Sequence, residues 1–182
     1  QPSAAALAEM DRRIEAELES QKIPGVVAGV MSRGRLLHVG TWGLADVELR
    51  VPVTDSTVFE IGSISKQFAA AAALLLAEEG RLDLDDPIHE YLADLPGEWL
   101  GVTVRQLLNH TSGIPDYEEI QTYEAYRFRF TPEQIIRVAH SRPMDFAPGQ
   151  GWYYSNTGYF LLSLIIERIE GRPLGDVLRE RI

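Results

Sequence analysis

The stretch that most limits what this chain can become is Phe59-Glu60-Ile61-Gly62-Ser63-Ile64-Ser65-Lys66, running into five alanines and three leucines by Leu76. A short extended run meets a glycine, then a serine, then a segment apolar nearly all round. A helix of that kind is a buried one, and Gly80 is a good C-terminal stop for it. Ser63 is then expected at the N-terminus of a central helix, with Lys66 one turn on and on the same face. Lys66 is one of two lysines in the chain, against fifteen arginines. Where charge alone is needed the sequence uses arginine; here it uses the cation that can release its proton. Apolar surroundings and a positive helix terminus both disfavour a charged amine. A neutral amine within reach of a serine hydroxyl is a general base. Taken alone, Ser-x-x-Lys reads more readily as an N-capping serine beside an amphipathic lysine.

Composition narrows the function classes. The 182 residues are 45% hydrophobic and 24% charged, which suits one globular domain or part of a larger one. A net charge of −10, with no basic patch carrying interleaved aromatics, argues against nucleic acid and anionic membrane surfaces as partners. The absence of cysteine excludes disulfides, thiolate metal sites and a cysteine nucleophile. No apolar run approaches the roughly 20 residues of a membrane span. Asp83, Asp85 and Asp86 lack the glycine and terminal glutamate of an EF-hand loop and read as loop and cap residues.

Along the chain, Leu7, Met10, Ile14 and Leu18 predict an amphipathic helix over 3–20. Residues 26–31 read as a buried strand and 35–40 as its return, so 26–40 is a hairpin. The segment from Thr41 to Asp55 reads as irregular, with glycine and proline as punctuation. Capping boxes at Thr103–Gln106 and Thr131–Gln134 open two short helices, the second with Pro132 at its first position. The aromatic and charged stretch 117–130 shows no usable period. Tyr159 to Ile169 is another apolar helix, stopped by Gly171, and Leu174 begins one more. One hairpin is too little sheet to stand alone.

A second chemical signal is Tyr154-Ser155-Asn156. On extended backbone, residues two apart project to the same side, so a phenol and a carboxamide can share a proton path and a substrate amide. A Ser-x-x-Lys and a Tyr-x-Asn in one such chain is roughly a one-in-a-hundred coincidence.

With these residues the chain resembles the serine β-lactamase-related, penicillin-recognising hydrolases. It is most similar to the branch of class C β-lactamases, D-alanyl-D-alanine carboxypeptidases, D-aminopeptidases and family VIII-type esterases. The resemblance is carried by 60–66, by 80–87, by Thr103 through Gly113 (with Asn109-His110-Thr111-Ser112), and by 154–159. It implies an α+β, β-lactamase/transpeptidase-like fold: an antiparallel sheet with a mainly helical region over 63–182. It implies a serine hydrolase working through an acyl-enzyme on β-lactams, D-Ala-D-Ala-type peptides or small esters, in a periplasmic or secreted setting. Ser63 would be the nucleophile, Lys66 the base or the partner that tunes it, Tyr154 the proton shuttle, and Asn156 the group that orients Lys66. The Ser63 backbone N–H would supply half of an oxyanion hole, and no metal or organic cofactor would be required. His110 reads as loop structure. The alternative is a β-lactam-binding sensor that is acylated without turning over; an intact quartet disfavours a dead site.

One departure matters. The resemblance implies a third motif, Lys-Thr-Gly or His-x-Gly, on a strand after the tyrosine, and none follows Asn156. His38-Val39-Gly40 has the letters but precedes Ser63. Residues 1–182 are therefore expected to be the N-terminal portion of one catalytic domain, lacking the C-terminal strands. The missing half would be a partner, covalent or as a separate chain.

Overall fold

The computed structural model describes residues 2–120 and 127–182. Contacts divide the chain into two compact units, 1–60 and 61–182. In the first, Ser3 caps α1 (Ala4–Gln21) by accepting the Ala6 N–H at 3.2 Å. Lys22, in the left-handed region, ends it. The expected stripe Leu7, Met10, Ile14 and Leu18 is half-buried. His38 Nε2 and Asp11 Oδ1, 2.9 Å apart, join α1 to the sheet.

The sheet is larger than the predicted hairpin. Strands β1 (Gly25–Ser32) and β2 (Arg35–Asp46) pair antiparallel, and β3 (Val51–Pro52) adds a short third strand beside β2. The irregular segment expected from Thr41 is thus strand as far as Asp46. The reason is Gly43. It pairs with Gly25 at a φ of +75°, where an added Cβ would lie 2.2 Å from the Pro24 carbonyl oxygen. This glycine permits close strand approach; it does not end the strand. A register shift between Leu44 and Asp46 then bends β2 toward β3. β1, expected to be buried, is half-buried along most of its length.

The second unit is helical. A 3₁₀ turn, Gly62–Ile64, leads into α2 (Ser65–Glu78), and Gly80 follows at a φ of +69°. Ser63 therefore sits in the 3₁₀ turn, just ahead of the α-helix. The helix is also less enclosed than its composition suggests. Ala69, Ala72, Ala73 and Leu76 form its buried stripe, whereas Phe68 and Leu74 are exposed. Both capping boxes are formed, at α3 (Val104–Leu108) and α5 (Pro132–Ala139). Of the unpatterned stretch, Tyr117–Ile120 is α4 and 121–126 lies outside the described residues. Helices α6 (Asn156–Glu170) and α7 (Leu174–Arg181) complete the order.

The core of this unit is built around α6. Leu161, Leu162, Ile165 and Ile166 are fully buried against Leu76 of α2, Leu107 of α3, Val177 of α7 and Trp99. Each such side chain contributes roughly 1.5–3 kcal/mol by leaving water. The packing of α2 on α6 also decides where their N-termini lie. Among the described residues no helix is long and apolar enough to cross a membrane.

Candidate active site

The four residues singled out in the sequence meet at the N-termini of α2 and α6. In a 3₁₀ turn the side chains at i and i+3 eclipse one another, and Lys66 Nζ donates to Ser63 Oγ at 3.2 Å. Lys66 Nζ also donates to Asn156 Oδ1 at 2.6 Å and lies 4.7 Å from the centre of the Tyr154 ring. Tyr154 Oη donates to Ser63 Oγ at 2.6 Å. Ser155 between them is extended and caps α6, its Oγ accepting the Gly158 N–H at 3.1 Å. Extended backbone at 155 sends Tyr154 and Asn156 to the same side, as their spacing implied.

Ser63, Lys66 and Asn156 line a cleft of about 470 Å³, together with Tyr117, Glu118, Tyr159, Phe160 and Leu174. Ser63 is open to it, and Lys66 is half-buried. A larger hollow of about 580 Å³ lies elsewhere, among Arg81, Leu84, Tyr91 and Arg105. Its aspartates are engaged: Asp83 Oδ1 accepts the Asp85 N–H at 2.9 Å, and Asp86 Oδ2 accepts from Tyr91 Oη at 2.7 Å.

Two carboxylates were not legible as part of this constellation. Asp116 is buried, and its Oδ2 accepts the Asn156 backbone N–H at 2.7 Å and Nδ2 at 3.0 Å. Glu118 Oε2 accepts from the same Nδ2 at 3.0 Å. With its nitrogen held by two acceptors, the Asn156 amide can turn only its oxygen to Lys66. These contacts span 40 and 38 residues, and no local spacing announces them.

The loop that delivers Tyr154 is pinned to the segment 110–113. Gly113, at a φ of +75°, has Phe146 O where a Cβ would stand, 2.0 Å away. Its carbonyl accepts the Asp145 N–H at 2.9 Å, and Thr111 O accepts the Gly149 N–H at 2.8 Å. His110 lies in this loop, its ring 4.6 Å from that of Tyr154 and 5.2 Å from that of Tyr159. Burial, and then the Lys66 charge, push its pKa below the ordinary imidazole value against a weaker opposite pull from Asp116. Burial pushes the Tyr159 phenol up.

A family model described as Beta-lactamase matches residues 10–182. The chain belongs to the beta-lactamase family. Penicillin-binding protein 4* of Bacillus subtilis is 35% identical over 153 residues, 82% of this chain and 33% of that protein. Esterase EstB of Burkholderia gladioli is 32% identical over 187 residues, 94% of this chain and 47% of the esterase. Among solved structures, D-amino acid amidase from Ochrobactrum anthropi SV3 superposes with a TM-score of 0.83 at 32% identity, covering 96% of this chain and 48% of the amidase. The family's α+β, β-lactamase/transpeptidase-like fold is therefore the fold of this chain. The chain spans a third to about half the length of these relatives.

Proposed function

We propose that the protein carrying this chain is a serine hydrolase that cleaves ester or amide bonds through an acyl-enzyme on Ser63. The observation that carries the reading is that Ser63 Oγ accepts hydrogen bonds from both Tyr154 Oη and Lys66 Nζ. Two donors on one oxygen stabilise the negative charge that it develops as it becomes a nucleophile. For the Ser63 proton to leave, one of the two must first have lost its own. On this reading the base is the Tyr154–Lys66 pair, joined through the Ser63 oxygen.

In acylation, Ser63 Oγ bonds to the carbonyl carbon while its proton passes to the Tyr154–Lys66 pair. The tetrahedral species then collapses, the ester or amide bond breaks, and the pair returns the proton to the leaving group. Water attacks the Ser63 ester by the same route in reverse. Asn156 keeps Lys66 on the Ser63 oxygen, and the Ser63 N–H is one oxyanion donor. The second donor comes, on this reading, from a further segment of the same domain, covalent or associated. The support for that is the missing third motif after Asn156, together with relatives two to three times longer. One donor lost typically costs 10²–10³ in rate, so residues 1–182 alone should not turn over a reactive ester. Multiple turnovers by 1–182 with cooperative unfolding would refute that part.

The test is adduct mapping in the full-length protein. A fluorophosphonate or penicillin should attach to Ser63, and Ser63→Ala should abolish both label and turnover. Label on Ser65, Ser112 or Ser155 would overturn the assignment. A chromogenic cephalosporin, a short-chain aryl ester and a D-Ala-D-Ala peptide, run in parallel, assign the substrate class. A lasting label with no turnover of the three would make the protein a slowly acylated binding module.

A further inference from the structure

His110 brackets the proposed proton shuttle in a way that loop structure alone does not require. Its carbonyl accepts the Tyr153 N–H at 3.0 Å, and its Nδ1 lies 3.1 Å from the Ser155 backbone N–H. The two peptide N–H groups on either side of Tyr154 thus end on one residue. The imidazole also lies against the Tyr154 ring, tilted by 31°, with Trp152 edge-on at 6.0 Å. His110 makes these two contacts with its backbone in the left-handed region, at a φ of +63°. Such a conformation is uncommon outside glycine, although histidine is among the residues that tolerate it.

An N–H donor facing Nδ1 sets the protonation state of the ring. Nδ1 can accept only as a lone pair, so the imidazole is neutral with its proton on Nε2. A proton arriving on Nδ1 would face the Ser155 N–H and break that bond. The ring would also gain charge close to the Lys66 ammonium. The titratable and charged groups facing it are Lys66 of α2, Tyr159 of α6, and Tyr154 and Asp116 of the adjoining loops.

We propose that neutral His110 is the positioning residue for Tyr154, and that its protonation releases Tyr154 from Ser63 and switches acylation off at acid pH. The proposal rests on the reading of Tyr154 as proton shuttle, but its geometric half can be tested without any turnover.

Two measurements on the full-length protein decide it. Long-range proton–nitrogen correlation of the imidazoles should find His110 as the Nε2–H tautomer at pH 8. On acidification its titration should move the Tyr154 ring signals in step. A proton on Nδ1 at pH 8, or Tyr154 signals indifferent to the titration, would overturn the proposal whatever the enzymology. The second measurement is the pH profile of Ser63 acylation by a fluorophosphonate. The second-order rate of wild-type labelling should fall about tenfold per pH unit below the His110 pKa. His110→Asn keeps an acceptor oxygen at the Nδ1 position and tolerates positive φ, yet cannot titrate. It should lose that acid step while retaining measurable acylation at pH 8, and His110→Ala should be the poorer of the two there. An acid step unchanged in His110→Asn would refute the switch. If wild type is not labelled at Ser63 at any pH, the hydrolase reading is what fails, and the nitrogen spectrum still decides whether His110 holds Tyr154.

Discussion

The two units of this chain have opposite interiors. Across described residues 2–60, Val53 is the single buried apolar side chain, and Met31, Leu36, Val39 and Leu49 are exposed. Among the described residues of 61–182, seventeen apolar side chains are buried, four of them on α6, and the proposed chemistry sits at the N-terminal ends of α2 and α6. Strand pairing can order a segment with hardly any dry core. Holding a serine, a lysine and a phenol within hydrogen-bond reach of one another draws on packed helices. Substitutions in the helical unit should therefore cost far more than matching ones in the sheet unit.

The largest effect belongs to Lys66→Arg. Arginine keeps the charge but does not deprotonate at working pH, so turnover should fall nearly as far as in Lys66→Ala. Retention of more than roughly a tenth of the wild-type rate, about 1.4 kcal/mol of barrier, would show Lys66 acting as fixed charge. Next comes Ile165→Ala, which empties a fully buried position. Its cost in urea unfolding should be about 2–5 kcal/mol.

A smaller effect tests the far end of the same unit. The Glu170 side chain, 8% exposed, accepts from Arg81 and Arg181 at 2.8 Å each and from Arg172 at 3.3 Å. Burial raises its pKa, but the hydrogen bond and charge of Arg81, the charge of Arg181 and the Arg172 bond outweigh it, leaving it below the ordinary value. A carboxylate depressed on folding stabilises above its unfolded pKa, and that stability is lost as pH falls through the folded one. Stability should therefore decline on acidification from about pH 5 downward, and Glu170→Gln should flatten the decline. An unchanged curve would mean that the arginines contribute nothing. The smallest effect is Leu36→Ala at an exposed site on β2. It should stay within about 0.5 kcal/mol of wild type. A loss matching that of Ile165→Ala would end the contrast between the units.

What could be read from the sequence was whatever is settled over a few residues. The capping boxes at Thr103 and Thr131, the stop at Gly171 and the alignment of Ser63 with Lys66 depend on neighbours within one or two turns. So does the common direction of Tyr154 and Asn156. Two kinds of feature escaped. Gly43 is a close-approach residue only because Pro24 stands opposite, so the strand around it reads as a loop. Asp116 and Glu118 reach Asn156 through tertiary contacts, and a carboxylate bound for such a place looks like any other in a polar stretch. The exposed flank of α2 is a further case: composition shows that Phe68 and Leu74 can be buried, not that they are.

Asn156 is both a member of the quartet and the first residue of α6, and the turn it begins is not free to fray. Ser155, Thr157 and Gly158 are all buried, and Leu161 and Leu162 lock the turn after it. Helix ends ordinarily open and close long before a protein melts. Here the amides of the first turn should exchange with solvent only as slowly as the core itself. On heating, the geometry of the proposed site should then fail in a single event with the core, so that the midpoint for loss of Ser63 labelling and the unfolding midpoint coincide.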